Sequence, residues 1–329
     1  MVQALESPVR TAPLPAVSVV IPLLDDRRGI GPCLASVLGQ TARHHRLLEV
    51  LVVDGGSTDG SREHVAALAR RDPRVRLLDN PDRFVPQALN RAIEVAGGDV
   101  IVRVDAHAVL DADYVDAAVL ALADTEADVV GGPMRPSGTT STESAIAWAL
   151  TSRWGVGGSR FHFADASGET DAVYMGVFPR ETFSRFGRFD TRFSRNQDDE
   201  LTYRIRERGG RVWLDPSIRS TYTPRGCYRA LYRQFRGYGR FKPMVLREHP
   251  RSLRLRHVAP PLVALAWCVL PLAVVRRRFL VVPALHVAAV AMASEPTRRG
   301  WLRRASALLT MHLGYGMGFL RGLFGQPRV

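Results

Sequence analysis

Short apolar runs alternate with amphipathic stretches over residues 18–104 of this chain, and no other feature constrains the fold as strongly. The apolar runs, which predict strands, cover residues 18–23, 49–53, 75–78 and 100–104. The stretches that predict helices cover residues 31–40, 61–71 and 85–96. Buried parallel strands are near-continuous apolar runs, and strands that alternate with helices at this spacing are typical of βαβ units. The sequence therefore predicts an α/β fold with a central, mostly parallel sheet.

Two side chains that can bind an ion follow the last of these strands. Asp105 and His107 lie two residues apart, and in an extended chain such residues point to the same side. They also lie at the carboxyl end of a strand, the edge of an open α/β sheet where ligands bind. The pair is therefore a candidate ion site, although a capped turn would account for the same two residues.

The second predicted strand ends in a glycine-rich acidic turn, residues 54–59. Glycines let a ligand approach the backbone, and the amides at the start of the following helix attract anions. Ser57, Thr58 and Asp59 are also good helix-capping residues, so helix capping alone would account for these three residues. Asp54 differs, because a carboxylate at a strand end suits a nucleobase imide or a ribose hydroxyl. The turn matches neither GxGxxG nor GxxxxGK[ST], which argues against a dinucleotide enzyme and a P-loop NTPase.

A second acidic cluster precedes a predicted helix over residues 201–208. One or two acids are favourable in a first helical turn because of the helix dipole, but a third adds repulsion between like charges. The third acid therefore indicates that the cluster has a function beyond stabilising the helix. Glu200 is spaced to pair with Arg204 at i,i+4, which needs no chemistry. The sequence therefore favours Asp198 as the functional acid and leaves Asp199 and Glu200 open.

Four segments together resemble family 2 glycosyltransferases of GT-A fold. They are SVVIPLLDD from Ser18, VLVVDGGSTDGS from Val50, ALNRAIEVAGGDVIVRVDAHA from Ala88 and RNQDDELTYRIRERGG from Arg195. The resemblance covers roughly residues 17–260. Within the family, the Asp-Ala-His form of the DxD motif, GGPMRP at Gly131 and VYMGVFPRE at Val173 resemble the succinoglycan-biosynthesis, ExoA-like group.

The resemblance implies a role for individual residues. It implies that the nucleotide donor is bound by Pro22, Asp54, Ser57, Asp59 and Asp105. It implies that Asp105 and His107 hold a divalent cation, Mn²⁺ or Mg²⁺, and that Asp198 is the catalytic base. Residues that it places on the acceptor or diphosphate side are Asp199, Glu200, Gln234 and Tyr238. Either Arg83 or an arginine of the later basic segment would assist the leaving diphosphate.

The chain departs from the family pattern at three places. His107 replaces the usual second aspartate, which makes the ion site softer in a way that manganese-like ions accept. Gln197 replaces the glutamate of the Glu-Asp motif, so the role of base rests on Asp198 alone. Gln234 and Tyr238 only loosely match the QxxRW motif, and the missing Arg-Trp argues against processive synthesis.

The net charge of +13 is concentrated in residues 225–257, which carry ten Lys or Arg residues against one acid, Glu248. Aromatic side chains are interleaved with these charges, a composition that suits nucleic acid or an anionic membrane. Three uncharged runs follow, at residues 258–275, 279–294 and 305–320, each at or just below the roughly 17–25 residues of a membrane span. They favour a membrane and argue against nucleic acid. Arg276, Arg277 and Arg278 separate the first two runs, so spanning and re-entrant arrangements both remain open.

Four regions follow from these observations. We predict a disordered tail over residues 1–16, a GT-A domain over 17–225, a basic amphipathic interfacial segment over 226–257 and hydrophobic membrane-associated helices over 258–323. The three cysteines, Cys33, Cys227 and Cys268, are too far apart to indicate a disulfide framework, which fits a reducing compartment. The expected location is the cell membrane, with the catalytic domain on the cytoplasmic side.

The expected function is inverting transfer of a sugar from a nucleotide diphosphate donor, with a UDP-sugar expected, to a membrane-bound, lipid-linked glycan. Synthesis of an exopolysaccharide or cell-envelope glycan would suit the resemblance. Two alternatives stay open at this point. One is a polyprenyl-phosphate glycosyltransferase, whose acceptor is the lipid phosphate itself. The other, of a different class, is a non-catalytic, membrane-bound sugar-nucleotide binder.

Overall fold

The computed structural model describes residues 13–325. Its main feature is an eight-stranded sheet with the order β3-β2-β1-β4-β9-β6-β10-β8. The strands are β1 (Ala16–Leu23), β2 (Arg46–Asp54), β3 (Val75–Asp79), β4 (Val100–Arg103), β6 (Val129–Gly132), β8 (Gly168–Glu169), β9 (Tyr174–Pro179) and β10 (Val212–Leu214). The four predicted strands are thus confirmed as β1 to β4. The predicted tail over residues 1–16 lies outside the described residues as far as residue 12, and Ala16 already opens β1.

Parallel pairing dominates the half of the sheet that the sequence predicted. β1 pairs in parallel with both β2 and β4, and β2 pairs in parallel with β3. β9 runs antiparallel between β4 and β6, and β8 closes the far edge antiparallel to β10. The predicted α/β class with a mostly parallel sheet is therefore confirmed. β1 and β4 are neighbours, so their carboxyl ends emerge side by side.

Helices cover both faces of the sheet. One face packs against α1 (Ile30–Leu38), α2 (Ser61–Ala69) and α4 (Tyr114–Thr125), and the other against α3 (Val85–Val95), α7 (Glu181–Phe186) and α8 (Gln197–Glu207). β2 shows why both faces are apolar, since Val50 and Val52 enter the first core while Leu51 and Val53 enter the second. Alternation of side chains across a strand buried on both faces produces the near-continuous apolar runs of the sequence.

A smaller sheet lies beside the carboxyl end of β4. It has the order β5-β11-β7 and consists of β5 (Ala108–Leu110), β11 (Ser220–Tyr222) and β7 (Arg135–Pro136). β5 begins one residue after His107, and the His107 ring meets the ring of Tyr222 edge-on at 5.7 Å between centroids. The small sheet therefore fixes the chain immediately after the Asp105 turn.

The remaining helices form a layer against one side of the α/β domain. They are α5 (Ser141–Thr151), α6 (Arg153–Val156), α9 (Tyr228–Glu248), α10 (Leu255–Cys268), α11 (Val281–Ala293) and α12 (Trp301–Leu323). The predicted basic segment contains α9, and the predicted hydrophobic region contains α10, α11 and α12. Short 3-10 helices at Leu270–Val274 and Arg277–Leu280 interrupt the apolar sequence between α10 and α11.

Glycines bring α9 and α12 into main-chain contact. Gly314, Gly318 and Gly322 recur every four residues on one face of α12, and we call them the glycine ridge. A Cβ at any of these positions would come within 3.0 Å of a carbonyl oxygen of α9, namely that of Tyr232, Arg236 or Arg240 respectively. Small residues at this spacing are what allow two helix backbones to approach closely.

Large apolar side chains are exposed on α10, α11 and the turns that join them. We call nine of them together the apolar face, namely Leu262, Leu265, Leu272, Val274, Val275, Val281, Val282, Leu285 and Met292. Val274 and Val275 are 94% and 80% exposed. Among residues 13–325, no helix combines the length and the hydropathy needed to cross a membrane. The membrane association of residues 258–323 therefore stays a prediction.

Candidate active site

A single large cavity of about 1700 Å³ opens at the carboxyl edge of the main sheet. The ends of β1 and β4 and the first turn of α8 form its inner wall, and α9, α10 and α12 form the opposite wall. Pro22, Asp105, His107, Asp198 and Asp199 all line it. The structure thus brings together residues that the sequence places up to 177 positions apart, from Pro22 to Asp199.

Arg103, the last residue of β4, joins the two key carboxylates. Its Nη2 donates a hydrogen bond of 2.8 Å to Oδ1 of Asp105, and its Nη1 forms an ion pair with Oδ2 of Asp198. The Arg103 residue is only 6% exposed, so both ion pairs lie in a poorly solvated part of the cavity. A buried arginine must be paired, and here one guanidinium serves two acids from different elements.

The two carboxyls nevertheless respond differently to this cation. Burial raises the pKa of Asp105, but the charges of Arg103 and His107, together with hydrogen bonds from Arg103 and Tyr174, outweigh burial, and the pKa lies below its usual value. For Asp198, burial raises the pKa and prevails over Arg103, and the neighbouring charges of Asp105 and Asp199 add to the increase. Asp105 is therefore the group suited to a permanent negative charge, and Asp198 is the one suited to accept a proton.

α9 supports the first turn of α8 at two points. Lys242, which is almost fully buried, forms an ion pair of 3.0 Å with Asp199. Asn196, which precedes α8 in a left-handed conformation, donates a hydrogen bond of 3.0 Å to the carbonyl oxygen of Tyr238. Gln234 in turn donates to the Tyr238 hydroxyl at 2.9 Å. Asp199, Gln234 and Tyr238, predicted on the acceptor or diphosphate side, therefore line the cavity where α8 and α9 meet.

Glu200, the fourth predicted residue of that side, lies elsewhere. Its carboxylate accepts two hydrogen bonds of 2.7 Å from Arg204, and it lines a separate charged cavity beneath α8. Arg204 also donates to the carbonyl oxygens of Phe186 and Arg188. The i,i+4 pair that the sequence allowed is thus present, and it ties α8 to the loop after α7.

The glycine-rich turn is held together by its own polar side chains. Asp54, 1% exposed, accepts a hydrogen bond of 2.6 Å from the Ser57 hydroxyl and forms an ion pair of 3.1 Å with Arg62. Asp59 accepts a main-chain hydrogen bond of 2.8 Å from Arg27, which links this turn to the loop after β1. None of the three predicted donor residues of this turn lines the cavity. A contact between Asp54 and a base would have to replace the ion pair with Arg62.

The candidate ion site consists of few protein ligands. Asp105, His107 and Asp26 border the same part of the cavity, with 3.7 Å between Nδ1 of His107 and Oδ2 of Asp26. Within residues 13–325 no cluster of three or more His, Cys, Asp or Glu side chains is arranged to hold a metal. A carboxylate and an imidazole still suit a divalent cation that takes its other ligands from substrate phosphates and water.

Sequence reasoning missed two cations that organise this site. The sequence did mark Arg103, because it is a charged residue within the otherwise apolar strand of residues 100–104, and a buried arginine is rarely left without a partner. The sequence did not mark Lys242, because it is one of the ten cations of residues 225–257 and only the packing of α9 against α8 distinguishes it.

Comparison with known proteins agrees with this geometry. Residues 18–201 match the model of the family described as "Glycosyl transferase family 2". The chain is 35% identical over 287 residues to the succinoglycan biosynthesis protein ExoA of Rhizobium meliloti, covering 85% of this chain and 87% of that protein. It is 24% identical over 240 residues to a dolichyl N-acetyl-alpha-D-glucosaminyl phosphate glucuronosyltransferase of Methanococcus voltae, covering 70% and 74% of the two chains.

A solved structure shows the same overall fold. The mannosyltransferase PcManGT from Pyrobaculum calidifontis, solved with GDP-Man and Mn²⁺, superposes with a TM-score of 0.61 at 22% identity, over 94% of this chain and 91% of that one. The predicted GT-A fold of the α/β domain is therefore confirmed, as are the matched family and the ExoA-like group. We conclude that the chain belongs to glycosyl transferase family 2 and is an ExoA-like glycosyltransferase.

Proposed function

We propose that this enzyme transfers a sugar, with inversion, from a nucleotide diphosphate donor to a hydroxyl of a lipid-linked glycan during polysaccharide synthesis. The observation that carries the proposal is the single cavity in which Asp105 and Asp198 face each other across Arg103. The name of the Methanococcus voltae relative describes transfer to a dolichyl-phosphate-linked sugar, and the relative from Rhizobium meliloti serves succinoglycan synthesis. Both support an acceptor that is a growing glycan.

Asp198 has the properties of a general base. Its carboxylate would take the proton of the acceptor hydroxyl while the acceptor oxygen bonds to the anomeric carbon. The bond from that carbon to the phosphate oxygen breaks at the same time, and the nucleoside diphosphate leaves with the electron pair. Attack opposite the leaving group inverts the anomeric carbon. The raised pKa of Asp198 favours proton capture, and Arg103 stabilises the ionised form that must be present first.

The donor side is built from the ends of β1 and β4. Pro22 and the backbone after it would line the nucleotide, and Asp105 would face the ribose or the cation. Asp105 and His107 would hold Mn²⁺ or Mg²⁺, which neutralises charge on the diphosphate when it is bound. Asp26 borders the same space and would orient His107 through the 3.7 Å contact.

A donor screen tests the nucleotide and the metal together. UDP-, GDP- and dTDP-sugars should be compared by thermal shift in manganese and in EDTA, and by transfer to a lipid extract. A matching donor at 100 times its dissociation constant should stabilise the fold by about 2.7 kcal/mol in manganese. We expect EDTA to remove both this stabilisation and the transfer, because the protein alone offers few ligands to the cation.

Substitution of His107 separates the metal from the rest of the site. His107→Ala should weaken donor and metal binding together, while His107→Asp should keep part of the activity and prefer magnesium, a harder ion. His44→Ala, which changes a histidine outside the cavity, is the matched control. Undiminished transfer by the wild type in excess EDTA would contradict the metal assignment.

We further propose that the helix layer holds the enzyme on the cytoplasmic side of an anionic membrane. The apolar face exposes nine large side chains from α10, α11 and their connection, a patch suited to insertion among acyl chains. The cations of α9 precede this face in the sequence, and the three arginines of residues 276–278 lie between its two halves. An interfacial arrangement needs no membrane-spanning helix.

Vesicle binding tests this placement. The full-length protein should sediment with phosphatidylglycerol vesicles, and binding should weaken as salt rises, because each basic residue contributes about 1 kcal/mol over a Debye length of about 8–10 Å. Replacing Val274 and Val275 with aspartate should release the protein, since these side chains are the most exposed on the apolar face. Leu120→Asp, at an exposed position of α4, should not. Failure of the wild type to bind at low salt would refute the proposal.

A further inference from the structure

Three arginines near the base lack a carboxylate partner. Arg195, Arg233 and Arg240 line the cavity, and we call them the cation ridge. No Asp or Glu oxygen among residues 13–325 lies within 4.0 Å of their guanidinium groups. The Nε of Arg240 is buried and has no hydrogen-bond partner among the described side chains and backbone. Arg195 and Arg233 are exposed, but a buried guanidinium nitrogen such as Nε of Arg240 is costly to leave without a partner, so the three together point to an anionic ligand.

Several other cations of the cavity are paired with carboxylates. Arg103 pairs with Asp105 and Asp198, Lys242 pairs with Asp199, and Arg206 pairs with Asp171 at 2.8 Å. Arg83, Arg153, Arg160 and Arg225 also line the cavity without an Asp or Glu partner among the described residues, so the cation ridge is distinguished by its place beside the first turn of α8 and by the buried, unsatisfied Nε of Arg240.

The ridge lies beside the first turn of α8. Arg195 directly precedes Asn196, whose side chain bonds the carbonyl of Tyr238, on α9 between Arg233 and Arg240. Gly237 of α9 lies next to this side chain, since a Cβ there would be in ordinary van der Waals contact with Cγ of Arg195 at 3.9 Å. The ridge thus borders the place where an acceptor hydroxyl would meet Asp198.

The size of the cavity leaves room for a second ligand. Small-molecule sites usually enclose about 300–1000 Å³, and this cavity of about 1700 Å³ extends from Pro22 to His286 and His312 within the helix layer. Its far end is partly apolar, with Pro260, Val263 and Met311 in its wall. A donor at the ends of β1 and β4 would leave the ridge and this apolar end free.

We propose that the cation ridge binds the phosphate or diphosphate group that joins the acceptor glycan to its lipid. Phosphate matches the planar, multi-donor arginine side chain, and the apolar end of the cavity offers a path for the lipid toward α10 and α12. This assignment rests on the proposed function, because it supplies the anchoring point of a lipid-linked acceptor. It differs from the donor site, which uses the ends of β1 and β4.

Binding of farnesyl diphosphate to the full chain tests the ridge without knowledge of the acceptor sugar. The wild type should bind farnesyl diphosphate more tightly than farnesol or inorganic pyrophosphate, measured by titration calorimetry in detergent. The double variant Arg233→Gln with Arg240→Gln should raise the dissociation constant of farnesyl diphosphate about tenfold or more, as expected when charge-assisted hydrogen bonds to phosphate are lost. The dissociation constant of the nucleoside diphosphate preferred in the donor screen should not change.

A matched control lies on the same helix. Arg229→Gln with Arg236→Gln removes the same charge from exposed positions of α9 that do not line the cavity, and should leave farnesyl diphosphate binding unchanged. Equal weakening by both double variants would overturn the proposal in favour of a general electrostatic effect. Weaker nucleotide binding with farnesyl diphosphate unaffected would also overturn it, and would assign the ridge to the donor. Absence of nucleotide-sugar binding by the wild type would instead refute the proposed function.

Discussion

Replacing Asp198 with asparagine should lower kcat by roughly 10²–10⁴-fold, the usual share of general-base catalysis. The amide keeps the shape of the side chain but cannot accept the proton of the acceptor hydroxyl. Donor affinity should stay close to that of the wild type, because Asp105, and not Asp198, lies on the donor side of Arg103. Steady-state transfer rates and donor binding by thermal shift measure the two effects separately.

Two neighbouring acids provide the controls for this variant. Glu200→Gln should lower stability through loss of the Arg204 ion pair while turnover per folded molecule persists, since Glu200 does not line the cavity. Asp199→Asn should leave Lys242 buried without its partner, yet retain the base. Normal turnover of Asp198→Asn together with an inactive but folded Asp199→Asn would show that the base is Asp199.

Replacing Arg103 with glutamine should move the acid limb of the pH–rate profile to higher pH by about 1–3 units, the usual effect of an adjacent opposite charge. Burial and the nearby charges of Asp105 and Asp199 already raise the pKa of Asp198, and Arg103 opposes them. Without this cation, the pKa of Asp198 rises further, so the base becomes protonated at a pH where the wild type is active. Activity of the variant should therefore begin to fall at a higher pH than that of the wild type and recover as the pH rises further.

Carbon NMR of aspartate carboxyls gives a second readout of the same shift. The Asp198 resonance, assigned by its loss in Asp198→Asn, should titrate at higher pH in Arg103→Gln than in the wild type. Arg103→Lys should return the acid limb to its wild-type pH, because lysine keeps the positive charge. Its kcat should stay lower, because an ammonium group lacks the two Nη donors that contact Asp105 and Asp198. Arg76→Gln, which breaks an ion pair with Glu49 outside the cavity, should leave the limb in place. An unmoved limb in Arg103→Gln would contradict the role of Arg103.

The α/β half of the fold was predictable because its signal is local. Strands buried on both faces must be apolar throughout, so β1 to β4 could be placed within a few residues, and the helices between them follow from their periodicity. β9 was harder to place, because it enters the sheet antiparallel between β4 and β6 from a distant part of the chain. Such non-local pairing leaves no periodic trace in the sequence.

Residues of the active site could be predicted only where the residue type and its position in the chain determine the role. Asp105 and Asp198 stand at element boundaries, where side chains reach a ligand, and both line the cavity. Asp54 and Glu200 stand at similar boundaries, yet they form ion pairs with Arg62 and Arg204 respectively. Which arginine pairs with which acid depends on tertiary packing. In the same way, the three uncharged runs predicted membrane-associated helices over residues 258–323 but did not show how closely α12 packs on α9.

The glycine ridge of α12 gives the helix layer a mechanical property. Its clearance from the carbonyl oxygens of α9 is less than one methyl group, so the two helices cannot slide or tilt independently. A displacement of α12 would therefore move α9 with it, and the hydrogen bond from Asn196 to the carbonyl oxygen of Tyr238 connects α9 to the turn that carries Asp198.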